Sequence, residues 1–143
     1  MGKFSREKIK KHLQNLEDNV SVLKEFQKEP LSNFEDKKKC YAVFHAFLLA
    51  IENIMDIGGH ILVSIFRKPY NEYKEIIPFL EEKKVIPKEF AIKCKGMAEF
   101  RNKIVHNYIN VDSKLVYKYL QKDIQLFDNF AKYILKFIEK IKE

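Results

Sequence analysis

Five residues able to do charge, proton-transfer or hydrogen-bond chemistry crowd into segment 100–108 (FRNKIVHNY): Arg101, Asn102, His106, Asn107 and Tyr108. Arginine brings a fixed cation whose planar fork of N–H donors matches the oxygens of a phosphate. Histidine titrates near neutrality, so it takes or gives a proton at physiological pH. Metal-free RNA cleavage needs these parts: a base for the 2′-OH proton, an acid for the leaving 5′ oxygen, and positive charge for the dianionic phosphorane. The spacing leaves the matter open. Five residues on an ideal helix turn through about 500°, so Arg101 and His106 point roughly 140° apart. They converge only if the helix loosens near its end or a second copy of the segment completes the site. Alternatively, both cations simply complement the dipole of a helix C-terminus. Tyr108 reads as a helix-end aromatic, an RNA-stacking group or a modification site, and a lone tyrosine is more often a packing residue.

A second constellation is His45, Glu52, Asp56 and His60, spaced by seven, four and four residues along one face of an apolar stretch. His and carboxylates at such spacing can converge on a metal ion, but the paired Glu-x-x-His of di-iron bundles is missing, and no metal or other cofactor is expected. An unpaired acid on a buried face is costly. Glu52 or Asp56 is therefore expected to pair with Arg101 or to orient His106. His60 reads as structural or solvent-facing.

The elements that position these residues follow from the apolar periodicity. Ile9, Leu13, Leu16, Val20 and Leu23, at spacings of four, three, four and three, predict an amphipathic first helix from about residue 6 to 28, ended by Pro30. Ser32 and Glu35 form an S-x-x-E pattern that predicts the start of a second helix running to about residue 66. Between Cys40 and Ile57 that helix is apolar nearly all round, so it must be covered on more than one side, which points to a second subunit. Gly58 and Gly59 predict a close helix crossing or a kink. A short third element spans about 72–83, kinked or restarted at Pro78. Pro87 opens a fourth helix on which Phe90, Cys94, Met97, Arg101 and Ile104 share a side. Asp112 caps a last helix over 113–142 with Val116, Leu120, Phe127, Ile134 and Ile141 in its seam. The expected fold class is all-α: one domain over residues 1–143, an antiparallel bundle of four long helices and one short one.

The totals agree. A chain of 143 residues with 46% hydrophobic and 33% charged residues, four glycines and four prolines is an ordinary globular domain that favours helix. A net charge of +7 favours polyanionic partners, although the lysines are scattered and the longest run, Lys37 to Lys39, reads as a solvated helix face. Cys40 and Cys94 lack metal-ligand or redox spacing and read as buried thiols in a reducing compartment. The N-terminus has no apolar signal region, Arg6 rules out a myristoylation motif, and the longest apolar run is too short to span a bilayer. A cytoplasmic protein with no membrane partner is expected.

Arg101, four residues, His106, one residue and Tyr108 resemble the R-x4-H-x-Y motif of HepT-like toxins in the HEPN superfamily. The resemblance extends to the IENIMDIGGHI run (51–61), the PYNEY segment (69–73) and the long helix after the motif, so it covers essentially the whole chain. It implies a HEPN bundle acting as a homodimeric endoribonuclease toxin, paired through helix two and the motif helix. Arg101 and His106 would be catalytic, with Asn102 and Asn107 supporting. A minimal nucleotidyltransferase antitoxin would silence it by transferring AMP to Tyr108, placing bulk and an anion where RNA phosphate must sit. The family often carries an acid in this part of helix two, which favours Asp56 over Glu52 as the partner of Arg101. Products would carry 2′,3′-cyclic phosphate and 5′-OH ends. Two rival readings remain: a catalytically weak HEPN scaffold that binds nucleotide or the partner enzyme, and a purely structural bundle.

Overall fold

The computed structural model describes residues 3–107 and 113–142, with Ile104 and Asn107 as backbone only. Among these residues seven α-helices follow in order: α1 (Arg6–Gln27), α2 (Lys37–Ser64), α3 (Ile76–Glu82), α4 (Lys88–Lys93), α5 (Met97–Asn107), α6 (Ser113–Lys122) and α7 (Ile124–Ile138). Short 3-10 segments at Leu31–Glu35 and Tyr73–Glu75 precede α2 and α3. The class is the expected all-α one, but the helices are more numerous and shorter than the apolar pattern predicts.

α1 and α2 form the central antiparallel hairpin. At one end the Ser5 amide donates to Nε2 of His60 at 3.1 Å, and at the other Lys39 pairs with Glu29. The α1 seam Ile9, Leu13, Leu16, Val20 and Leu23 is buried throughout, as its spacing requires. Ser5 caps α1 by accepting from the Lys8 amide. α7 returns along α1, with Lys24 bonded to Asp128 near one end and Arg6 to the Ile141 carbonyl at the other. Val116, Leu120, Phe127 and Ile134 are buried in the last seam, whereas Ile141 is half-buried.

Three boundaries depart from expectation. The S-x-x-E stretch lies in the 3-10 segment, and α2 starts after Asp36, whose carboxylate accepts from the Lys38 amide. The 3-10 turn holds Phe34 in the core and leaves the capping role to the next acid. The expected fourth helix is divided into α4 and α5 by a tight turn over Cys94–Gly96, where Lys95 donates to Ile92 and Met97 to Cys94. Such i→i+3 bonds overwind the chain locally, yet Phe90, Cys94 and Met97 all remain buried. The expected last helix is likewise divided at Asp123 into α6 and α7. The third element restarts as expected, from a 3-10 turn into α3, with Pro78 in the first helical turn where its missing N–H does no harm. The expected cap Asp112 lies outside the described residues.

α2 is the core helix. By length and composition it could cross a membrane, but most of its apolar surface is packed inside the bundle against α1, α3, α5 and α7. One stripe stays open: Tyr41, His45, Leu49 and Asp56 are exposed. The glycine pair makes a close crossing, and α2 continues helical through it. A methyl group on Gly58 would lie 2.6 Å from Ile76 Cγ2 and 3.0 Å from Leu80 Cδ1, and the space at Gly59 is filled by the Tyr70 hydroxyl. Burial pushes the Cys40 thiol up and the Cys94 thiol to about 12, so both stay protonated and inert.

His60 has a structural role. Its ring accepts the Ser5 amide and stacks on Phe4 at 5.9 Å. Partial burial, then the charges of Lys8 and His12, hold its pKa below the ordinary 6.5. The folded protein thus favours neutral His60. Its contribution to stability is complete above the unfolded pKa and is lost as pH falls below about 6.5, where the unfolded chain binds the proton more readily. Protonated His60 no longer accepts from Ser5, a loss of about 0.5–1.5 kcal/mol. Urea midpoints measured at pH 7.5 and 5.5 should therefore fall further for wild type than for His60→Gln.

Candidate functional site

α5 is anchored on its buried side by Met97, Ala98 and Phe100, with Phe100 set edge-on against Phe47 of α2 at 5.5 Å between ring centres. That packing brings the next residue, Arg101, over the side of α2 that carries Glu52. Arg101 Nε donates to Glu52 Oε1 at 2.6 Å, and the two side chains are only 22% and 27% exposed. The Tyr73 hydroxyl donates to the other oxygen, Glu52 Oε2, at 3.3 Å. The guanidinium lies over the Tyr73 ring at 4.6 Å, and its Nη1 donates to Asn102 Oδ1 at 3.1 Å. A carboxylate, a phenol ring and an amide thus fix one guanidinium, while its Nη2 protons take part in none of these bonds. A fork held this way is ready for a phosphate oxygen without first losing side-chain freedom.

Electrostatics keep the clamp in this form. Burial, then the charge and hydrogen bond of Glu52, push the Tyr73 phenol up, so it remains a neutral donor. Asp56 corrects the expected pairing: the carboxylate facing Arg101 is Glu52, one turn earlier. Asp56 stands on the open side of α2. Burial raises its pKa first of all, Glu52 adds to the rise, and His12 and Lys8 oppose it. The crossing of α5 sits level with Phe47 and Glu52, which puts Asp56 within the field of α1 instead.

His106 stands exposed near the end of α5. Because α5 is helical from Met97 to Asn107, the divergence from Arg101 expected of five residues persists within one chain. His45 is exposed and His60 faces the N-terminus of α1, so the second constellation is dispersed. Among the described residues no group of three His, Cys, Asp or Glu side chains could hold a metal ion. Asn107 (its side chain) and Tyr108 lie outside the described residues. Tyr73 is the member that residue spacing did not reveal. Its PYNEY segment figured only in the resemblance, and nothing local to it announces a contact with residues 52 and 101.

The site can be set beside known proteins. The family model described as Ribonuclease HepT-like matches residues 10–134. A candidate RNase of Archaeoglobus fulgidus is 26% identical over 132 residues, covering 92% of this chain and 96% of that one. The solved structure of YutE from Bacillus subtilis, described as a cytosolic protein, superposes with a TM-score of 0.82 at 24% identity, covering 97% of this chain and 94% of YutE. A tri-AMPylated HEPN toxin of Shewanella oneidensis, solved in complex with an MNT antitoxin, gives a TM-score of 0.81 at 19% identity, covering 90% and 96%. The two structural likenesses establish the HEPN fold. With the family model matching most of its length, the chain belongs to the HepT-like ribonuclease family.

Proposed function

We propose that the protein is an endoribonuclease toxin that cleaves RNA without a metal ion and is silenced by a nucleotidyltransferase antitoxin. The observation that carries this is the clamped guanidinium of Arg101, held on the helix that ends with an exposed His106, in a chain of the HepT-like family. Arg101 grips the non-bridging oxygens and stabilises the phosphorane. One His106 removes the 2′-OH proton as O2′ bonds to phosphorus. A second acid protonates O5′ as the P–O5′ bond breaks, leaving a 2′,3′-cyclic phosphate and a 5′-OH.

Within one chain Arg101 and His106 diverge, so the second acid is His106 of a second copy. Homodimerisation through α2 and α5 fits the surface left open there, where Tyr41, Leu49 and Val105 are 47%, 38% and 38% exposed. Asn102 supports the site by holding Nη1 of Arg101, and Asn107 is proposed to do so from the motif itself. The net charge of +7 suits RNA as substrate, and the likeness to YutE, described as cytosolic, supports the cytoplasm as the place of action.

The partner is a minimal nucleotidyltransferase. The Tyr108 oxygen attacks the α-phosphorus of ATP, pyrophosphate leaves, and the added AMP anion competes with RNA phosphate for Arg101. The support for this is the tri-AMPylated state of the Shewanella toxin beside its MNT antitoxin and the R-x4-H-x-Y spacing.

Purified protein incubated with RNA in EDTA should cut it, and the Arg101→Ala, His106→Ala double variant should not. Equal cutting by both, or cutting by neither with or without the chelator, rejects the nuclease. Activity abolished by the chelator alone rejects metal independence. Co-expression with the nucleotidyltransferase should add the mass of one or more AMP groups, and Tyr108→Phe should remove that gain.

A further inference from the structure

A cleft of about 640 Å³ opens between α3 and the α4–α5 corner, next to the arginine clamp. Its walls are apolar: Ile77 and Pro78 on one side, Ala91, Ile92 and Ala98 on the other. Ile92 is 62% exposed, the most open of the large hydrophobic side chains among the described residues. Lys74, Lys88 and Lys95 also line it. Two residues belong to both places, since Tyr73 and Asn102 touch Arg101 and line the cleft as well.

We propose that this cleft seats a nucleobase of the RNA strand whose phosphate Arg101 holds, and that it sets the sequence preference of cleavage. The proposal rests on the ribonuclease reading and gives that site its substrate-reading part. Sequence-specific proteins read single-stranded RNA by stacking splayed bases on aromatic rings or guanidinium planes and bonding their edges, and pockets that take up a single base also wall it with apolar side chains. The volume suits such a guest, lying within the roughly 300–1,000 Å³ of small-molecule sites. The polar groups suit it too. Oδ1 of Asn102 is engaged by Arg101, so the amide offers its two N–H donors to acceptors on a base edge. Glu81 and Glu99, also in the lining, accept from exocyclic amines. Three lysines at an apolar mouth fit the phosphates on either side of a buried base. An apolar peptide would have no use for them.

The test uses the full chain and oligoribonucleotides carrying 2′-O-methyl groups, which block attack, with 4-thiouridine placed at successive positions. Ultraviolet crosslinks from one position are expected in segments 73–82 or 88–102. Ala91→Trp, which narrows the cleft, and Ile92→Ser, an exposed change that cannot disturb the core, should each weaken binding about tenfold, within the range of one stacked base. Both should also flatten the sequence preference measured on a random RNA pool. Crosslinks confined to other segments, or binding and preference unchanged in both variants, overturn the proposal. Cutting of RNA by wild type with no crosslink in the cleft removes this inference and leaves the ribonuclease standing. Crosslinks in the cleft without cutting of the matching unmodified RNA remove the ribonuclease and leave the base seat.

Discussion

Replacing Arg101 with alanine is expected to lower RNA cleavage about 10²–10³-fold, the usual cost of removing one group that stabilises transition-state charge. The clamp makes the expectation sharper than a motif alone would. Nε is committed to Glu52, one face of the guanidinium to Tyr73 and one Nη1 proton to Asn102, so only the outward part of the fork is left for phosphate. Arg101→Lys should rescue little. An ammonium cannot hold a carboxylate edge-on and a phosphate at the same time. Glu52→Gln keeps the size and one acceptor, and should lower the rate about tenfold by loosening the aim of the fork, one power of ten being about 1.4 kcal/mol. Single-turnover rates of the three variants, measured beside their thermal midpoints, test the order. Arg101→Ala with an undiminished rate would remove the clamp from the mechanism. Arg101→Ala also leaves a half-buried carboxylate with the phenol alone, a stability loss of about 1–3 kcal/mol, so rates belong per folded molecule.

How much of this was readable beforehand depended on whether the property was local. The α1 seam was readable because one stripe of five residues has one way to be buried. The need for a carboxylate opposite a cation was also readable, but its identity was not. Glu52 and Asp56 are four residues apart and differ by only about 40° around the helix, so periodicity cannot separate them. The level at which α5 crosses α2 decides, and a contact between residues 47 and 100 sets that level. The breaks at Cys94–Gly96 and Asp123 were hidden for a related reason. Neither break takes the apolar residues out of the core: Phe90, Cys94 and Met97 are buried around the first and Leu120, Ile124 and Phe127 around the second, so the pattern runs on unbroken through a chain that does not. Tyr73 needed the third dimension altogether. It lies 21 residues from Glu52 and 28 from Arg101 in the numbering, and only the fold brings it to both.

Phe47 is where fold and site meet, and Phe47→Ala is expected to destabilise the protein by about 3–5 kcal/mol. The ring is 1% exposed, packs edge-on against Phe100 at 5.5 Å and leans on Phe127 at 6.2 Å, so its loss opens a hole between α2, α5 and α7. A partly open pocket of about 170 Å³ already lies beside it, lined by Phe47, Phe100, Tyr119 and Phe127 among others. Truncation would extend that pocket into the core, and the larger the residual cavity, the greater the cost. Against a typical total of about 5–15 kcal/mol this is a large share, and urea unfolding should show a lower midpoint with little change in slope. Leu23→Ala gives the comparison. Leu23 is fully buried on α1 and should cost about 2–5 kcal/mol as well, but it is not in the stack that carries α5. In Phe47→Ala, Phe100 loses the ring it rests on, and Arg101 is the next residue. Cleavage per folded molecule should therefore drop in Phe47→Ala and hold in Leu23→Ala. Equal rates in the two, at matched folded fractions, would mean that the Glu52–Tyr73 clamp aims Arg101 without help from the aromatic stack beneath it.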